Sequence, residues 1–117
     1  MDFWRRPGIG FENEGTHLTN DGGDVWTLGY KTERGGTLSH TLNGGHTEIL
    51  GGFSYTTTAG KLAPMFVNDN ASLWAFFAEV CYNGDPFEIL LKETRGTETK
   101  IIKRGEGSTA PYSGRLP

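Results

Sequence analysis

Short runs in which hydrophobic and polar residues alternate follow one another along most of the chain, and this pattern predicts β-strands. No window repeats apolar residues at helical spacing over the length that a helix needs, so the sequence predicts an all-β fold. Glycine-containing turns such as Asp21-Gly22-Gly23 and Asn43-Gly44-Gly45 separate the runs. The strands are predicted at approximately 15–18, 25–30, 37–42, 47–53, 65–67, 72–82, 87–94 and 97–103.

Two of these predicted strands have similar sequences. Leu28 and Gly29 recur as Leu50 and Gly51, a period of 22 residues, and a further step of about the same length reaches Leu73. A strand repeat of this length is typical of stacked coils, in which each turn buries its apolar face only against its neighbours. The repeat therefore predicts parallel strands, with Leu28 beside Leu50.

The second half of the chain has longer strands and different turns. Asn83-Gly84-Asp85 and Arg95-Gly96 favour tight antiparallel hairpins, which would cover the otherwise open edge of a stack. Residues beyond 104 are rich in Gly, Ser and Pro. The predicted organisation is β-coils at 1–71, an antiparallel cap of the same domain at 72–104 and a flexible tail at 105–117.

Composition narrows the classes of function. The chain has 117 residues, enough for one domain, and a net charge of -3 without a cluster of Lys and Arg, which argues against nucleic acid as a partner. The longest apolar stretch, 73–80, is too short to span a membrane. Cys81 is the single cysteine and cannot form an intrachain disulfide. The compartment is left open; it would be extracellular or periplasmic if a parent protein carries an upstream signal peptide.

Four segments carry a family resemblance: Val-Trp-Thr-Leu-Gly-Tyr-Lys-Thr-Glu at 25–33, Thr-Glu-Ile-Leu-Gly-Gly-Phe-Ser-Tyr at 47–55, Pro-Met-Phe-Val-Asn at 64–68 and Phe-Phe-Ala-Glu-Val at 76–80. Together they resemble the last coils of pectate-lyase-like right-handed parallel β-helix proteins. The resemblance covers roughly residues 22–104. It implies a short right-handed parallel β-helix segment that ends in an antiparallel hairpin cap.

The same resemblance implies a function. Proteins of this family mostly bind, cleave or epimerise polysaccharides, and their catalytic groups usually lie on central coils. The chain is then a C-terminal, non-catalytic segment that supports or caps a polysaccharide-binding stack. Its expected partners are a polysaccharide or upstream β-helix coils. If it is catalytic, the resemblance implies a polysaccharide lyase or a glycoside hydrolase.

The candidate catalytic residues are Lys31, Glu33, Arg34 and Glu79. Lys31 and Glu33 are two apart on a strand and share a face, so the base could abstract a proton or the pair could bind a uronate. A surface ion pair explains them more simply. Glu79 lies in an aromatic strand, although alternation can equally point it at water.

Histidines offer little support for a metal site. His46 and Glu48 form an H-x-E pair, but the P-C-x-x-C motif that accompanies this pair in zinc deaminases is absent. A hydrogen bond between His46 and Glu48 on one strand face is favoured instead. His17 and His40 have no evident ligand partners in the sequence. No metal and no cofactor are predicted.

Aromatic residues are the candidates for substrate binding, namely Tyr30, Tyr55, Trp74 and Phe77. Exposed rings stack on sugars, whereas buried rings fill a β-core. Alternation places Trp26 with Leu28 on a face that is expected to be inside, and Trp74 with Phe76 opposite Phe77 and Glu79. Aromatic residues on both faces indicate a docking surface within a parent protein or between subunits, so a homo-oligomer is also considered.

Two other functions compete with the family-based one. A stand-alone β-sandwich or jelly-roll module could bind glycans or a protein, and it would contain mostly antiparallel strand pairs. A small complete enzyme would need its acid and base from Lys31, Glu33, His46 and Glu48.

Overall fold

The computed structural model describes residues 15–33, 35–56, 63–81, 86–106 and 112–114, and these residues form β-strands joined by turns and irregular segments. The prediction of an all-β fold is confirmed. Within the described ranges, no helix is long and apolar enough to cross a membrane. The strands are β1 (Thr19–Asp21), β2 (Asp24–Leu28), β3 (Lys31–Thr32), β4 (Ser39–Leu42), β5 (His46–Thr56), β6 (Phe66–Asp69), β7 (Ser72–Cys81), β8 (Ile89–Arg95), β9 (Glu98–Lys103) and β10 (Tyr112–Gly114).

The strands form two open five-stranded sheets of mixed direction. Sheet A has the order β1-β4-β6-β8-β9, and sheet B has the order β10-β7-β5-β2, with β3 also paired to β5. From β1 to β8 the chain passes back and forth between the sheets, and each described pair among these strands is parallel. Among the strands that the structure describes, the antiparallel pairs are β9 on β8 and β10 on β7. A right-handed parallel β-helix remains a prediction.

The register of β2 and β5 follows the sequence repeat. Leu28 lies opposite Leu50 in parallel strands, as predicted. The offset between β5 and β7 is longer than the 22 residues between β2 and β5, since Leu50 lies opposite Phe76 and Leu73 lies opposite Thr47. The prediction that the 22-residue step continues to Leu73 is therefore wrong, although a strand does begin there.

The longer step has its origin in the connection from sheet B to sheet A. Thr32 pairs with Ser54, and Ser39 pairs with Phe66. The connection from Ser54 to Phe66 is thus five residues longer than the one from Thr32 to Ser39. Extra residues at a corner change the step without disturbing the stacked strands.

Of the two predicted antiparallel hairpins, one is confirmed and the other is wrong. β8 and β9 pair antiparallel, with Arg95 opposite Glu98, which confirms the hairpin at Arg95-Gly96. The expected hairpin between 72–82 and 87–94 is wrong, because β7 is parallel to β5 in sheet B while β8 is parallel to β6 in sheet A. The parallel stacking thus continues to β8. The turn that was predicted for this hairpin, at 83–85, lies outside the described residues.

Two predictions at the ends of the described region also need correction. The first strand was expected at 15–18 and is observed at Thr19–Asp21. Part of the predicted flexible tail is ordered, since Tyr112–Gly114 adds a strand to sheet B beside β7. The rest of the tail, 107–111 and 115–117, lies outside the described residues.

The core between the sheets is apolar at the β7 and β8 side. Phe77 packs edge-on against Phe66, with ring centroids 4.9 Å apart, and Phe87 is fully buried beside them in the same cluster. Each buried ring of this size removes a large apolar area from water. The other buried members of the cluster are Leu38, Ile49, Met65, Leu73, Ala75 and Leu91.

A column of polar side chains lies inside sheet A. Asn20 lies opposite Thr41, Thr41 opposite Asn68, and Asn68 opposite Glu93, so the four occupy one register position on adjacent strands. The first three are buried. Thr41 Oγ1 donates a hydrogen bond to Thr47 Oγ1 (2.8 Å), which links the two sheets. Asn68 Nδ2 donates a hydrogen bond to Glu93 Oε1 (3.2 Å), whereas Asn68 Oδ1 is buried with no hydrogen-bond partner among the described residues.

Candidate functional site

The outer surface of sheet B carries an exposed group of large apolar side chains, here called the aromatic face. Two rows cross its parallel strands in register. Leu28 is 82% exposed, Trp26 58% and Phe76 52%, which is unusual for residues of this size on one sheet. The members of the aromatic face are the exposed Trp26, Leu28, Leu50, Phe53 and Phe76 and the half-buried Trp74.

Trp26 corrects one of the predictions. It shares a face with Leu28, as expected, but that face points outward and not into the core. The inward positions of β2 are Val25 and Thr27. Small side chains fill the interior at this end, where Thr47 of the next strand is fully buried and bonded to Asn20. Alternation groups residues on a face, but it does not say which face is inside.

A bulge in β5 places Phe53 on the aromatic face. The register shifts between Leu50 and Gly52, and Gly51 adopts a φ of +85°. Gly52 then points inward, where an added Cβ would come within 3.1 Å of the Ile49 side chain and 3.2 Å of Phe77 Cβ. A glycine is required at this close approach, and the extra residue moves the next side chain outward.

Polar groups lie between the rings. Glu48 sits opposite both Trp26 and Trp74 on the middle strand of the aromatic face. His46 Nε2 lies 3.3 Å from Glu48 Oε1, so the predicted pair on one strand face is confirmed. The His46 ring also contacts Trp26, with centroids 5.9 Å apart. Asp24 is exposed on β2, directly opposite His46.

The four predicted substrate-binding residues are separated by the structure. Trp74 lies on the aromatic face, nearly parallel to Phe76 with centroids 6.4 Å apart. Phe77 is 9% exposed and belongs to the core, so it cannot serve as a surface ring. Tyr30 donates a hydrogen bond to Leu38 O (2.7 Å), and burial raises its pKa to about 12. Tyr55 is half-buried in β5, opposite Val80.

Three of the predicted catalytic residues take part in ion pairs, namely Lys31, Glu33 and Glu79. Lys31 Nζ lies 2.9 Å from Glu33 Oε1, and both side chains are more than half exposed. Glu79 is paired with Arg104, whose Nε also donates to Phe87 O (2.6 Å). The Glu79 side chain is only 9% exposed, so this pair ties β7 to the end of β9. Arg34 lies outside the described residues.

One polar pair on sheet A was not found from the sequence. His40 Nε2 lies 2.7 Å from Asp69 Oδ2, on neighbouring parallel strands, a pair that the sequence analysis did not predict. The two residues are 29 positions apart, and only the stacking register brings them together. The described residues contain no group of three or more His, Cys, Asp or Glu side chains that could hold a metal ion.

The arrangement on sheet B suits binding. Rings offer flat apolar surfaces, while the carboxylates of Glu48 and Asp24 and the imidazole of His46 offer hydrogen bonds between them. Ligand sites commonly combine apolar walls with a few placed polar groups. No family model, no curated protein and no solved structure matches this chain.

Proposed function

We propose that the chain closes the end of a right-handed parallel β-helix in a carbohydrate-acting protein, and that it carries binding surface without the reaction itself. The observation that carries the proposal is the order of the strands. Parallel pairing runs through both sheets and stops at one end, where sheet A finishes in the antiparallel β9 and sheet B in the antiparallel β10. Antiparallel strands of this kind end a stack and protect it from further pairing.

The opposite end of the two sheets has a different character. In the described part of the chain, β1 is the outer strand of sheet A and β2 that of sheet B. Both are parallel to their neighbours, so a further coil could pair with each in the same sense. This asymmetry supports a closing segment that receives upstream coils on one side only.

The two carboxylates that were predicted as catalytic candidates are engaged in ion pairs. Glu33 is paired with Lys31 in solvent, and Glu79 is paired with Arg104. A group held in this way stabilises or orients the surface and is less suited to act as a general acid or base. These contacts favour a supporting and binding role over catalysis.

The competing β-sandwich module fits the strand pairing less well. Six pairings of the described strands are parallel and two are antiparallel, whereas a sandwich consists mostly of antiparallel pairs. The exposed rings of the aromatic face favour a binding role under either architecture.

Two measurements test the proposal. The purified chain is incubated with pectin, polygalacturonate and a panel of neutral glycans, and we expect no release of reducing or unsaturated ends above that of heat-denatured chain. Robust turnover that Glu48→Gln or Glu33→Gln abolishes would contradict the non-catalytic role. The coding sequence upstream of Met1 is then read; we expect further β-coils of about the 22-residue step seen between Leu28 and Leu50. A start site with no coils before it would contradict the closing role.

A further inference from the structure

We infer that the aromatic face binds a neutral glycan chain, which crosses the strands from Trp26 past Glu48 to Trp74. The inference rests on the proposed function, since it assigns the carbohydrate to a stated surface and states its charge class. It differs from the expectation of a uronate ligand at Lys31 and Glu33.

The spacing of three side chains across sheet B fits the length of a short glycan. Trp26, Glu48 and Trp74 occupy one register position on three adjacent strands, β2, β5 and β7. Adjacent strands are about 4.8 Å apart, so the two tryptophan positions are separated by roughly 10 Å across the sheet. This is about the length of a disaccharide. A glycan that crosses the strands would therefore meet a ring, a carboxylate and a second ring in succession.

The aromatic face offers both kinds of group that a sugar ring needs. A pyranose ring presents a C-H face to an aromatic ring and hydroxyl groups at its edge, so it needs apolar and polar contacts side by side. Trp26 is 58% exposed, and the side chains of His46 and Glu48 are about one third exposed. These polar groups can accept and donate hydrogen bonds to hydroxyl groups while the ring stacks.

The charges on the aromatic face favour an uncharged glycan over an acidic one. Asp24 and Glu48 lie in adjacent rows of the aromatic face, while the positive charge of Lys31 is held by Glu33 at 2.9 Å. A polyuronate would bring a carboxylate on every sugar unit towards these two acids. Like charges brought together at an interface lower affinity, so the face favours an uncharged chain.

The area of the aromatic face argues against a second copy of the chain as the occupant. An aromatic side chain has about 150 to 250 Å² to bury, so the exposed parts of Trp26 and Phe76 amount to roughly 200 Å². Leu28, Leu50 and Phe53 add to the patch, which comes to on the order of a few hundred Å² of apolar surface, whereas a stable protein interface needs about 800 Å² from each partner. A dimer would have to bury polar surface around the aromatic face as well, while a short saccharide can lie within it.

The test uses the full chain and defined oligosaccharides. Neutral oligomers of glucose, xylose, mannose and galactose are titrated by calorimetry and tryptophan fluorescence, and oligogalacturonate of equal length is titrated at low salt. We expect at least one neutral series to bind and oligogalacturonate to bind at least tenfold more weakly. Trp26→Ala and Trp74→Ala should each weaken the neutral ligand at least tenfold, as expected for removal of an aromatic anchor.

Matched variants give the controls. Ile101 is 46% exposed on the outer surface of sheet A, opposite Lys92, so Ile101→Ala removes an exposed apolar group elsewhere and should leave the affinity unchanged. Glu48→Gln keeps the hydrogen-bonding groups and removes the charge, so it should narrow the gap between the neutral and the acidic oligomer. Circular dichroism of each variant verifies that it is folded.

Several results would overturn the inference. They are an absence of binding in every neutral series, equal or tighter binding of oligogalacturonate, or an unchanged affinity in Trp26→Ala and Trp74→Ala. Sedimentation as a dimer that Trp26→Ala dissociates would identify a second copy as the occupant and would also overturn it. These outcomes leave the closing role intact, whereas turnover or a missing upstream stack contradicts that role whichever ligand binds.

Discussion

Asn20 is the residue whose replacement should most clearly test the polar interior. It is 3% exposed, and its Nδ2 donates to Gly23 O (3.0 Å), His46 O (2.9 Å) and Thr47 Oγ1 (2.9 Å). Its Oδ1 accepts a hydrogen bond from Gly23 N (3.0 Å). One side chain thus fixes the turn between β1 and β2 and joins sheet A to sheet B. Asn20→Ala removes all of these contacts together.

The magnitude follows from the fate of each partner. A hydrogen bond contributes about 0.5–1.5 kcal/mol net, and a buried group left without a partner costs about 1–3 kcal/mol. Gly23 is exposed and can bond to water, and Thr47 Oγ1 retains its hydrogen bond from Thr41. The carbonyl of His46 lies in a half-buried residue and recovers only part of its loss. We expect Asn20→Ala to lower the free energy of unfolding by about 3 kcal/mol.

Urea denaturation followed by circular dichroism measures this loss. With a slope of about 1.5–2 kcal/mol per molar urea, the midpoint should fall by about 1.5–2 M. The control is Thr19→Ala, an exposed neighbour on the same strand, which should change stability by less than about 0.5 kcal/mol. A loss below about 1 kcal/mol in Asn20→Ala, or an equal loss in Thr19→Ala, would refute the role given to Asn20.

Three further predictions concern other contacts. Arg104→Ala leaves the nearly buried Glu79 carboxylate without its cation and should lower the free energy of unfolding by roughly 2 kcal/mol in the same urea assay, with Glu79→Gln partly restoring it in the double variant. Leu28→Cys with Leu50→Cys, in a chain without the native cysteine, should form a disulfide on mild oxidation, as read by mass spectrometry; failure to form it contradicts the parallel register. Tyr30 should titrate near pH 12 by its tyrosinate absorbance; because the unfolded chain releases this proton near pH 10, stability should fall as the pH rises from 10 through 12, and Tyr30→Phe should abolish that component.

The sequence is most informative where it repeats itself. Leu28 and Leu50 belong to matching segments, and matching segments in a stack occupy matching positions, so their pairing could be predicted. The next step could not, because the longer corner between Ser54 and Phe66 breaks the period while the strands themselves continue to stack. Repeat length is therefore a weaker guide than the identity of the strands.

The direction in which side chains point was harder to predict. Hydrophobicity suggests that Trp26 is inside, yet Trp26 is exposed, while the polar Asn20 and Thr41 are buried. Small polar residues fit a narrow interior when hydrogen bonds across the sheets satisfy them, so apolarity and burial no longer coincide. The pair of His40 and Asp69 was missed for another reason, since no local spacing in the sequence joins residues on separate strands.

Each residue of β2 lies opposite the residue 22 positions later in β5, so 22 residues bring the chain back to the same position in sheet B. Asp24 lies opposite His46, so residues 24–45 contain one full circuit through both sheets. A tandem copy of that stretch would lie between the original and β5 and would pair with β5 as the original does now, while β9 and β10 would keep their present neighbours. The protein should therefore accept a lengthened version of itself, in which each inserted copy adds one further pair of Trp26 and Leu28 side chains to the aromatic face.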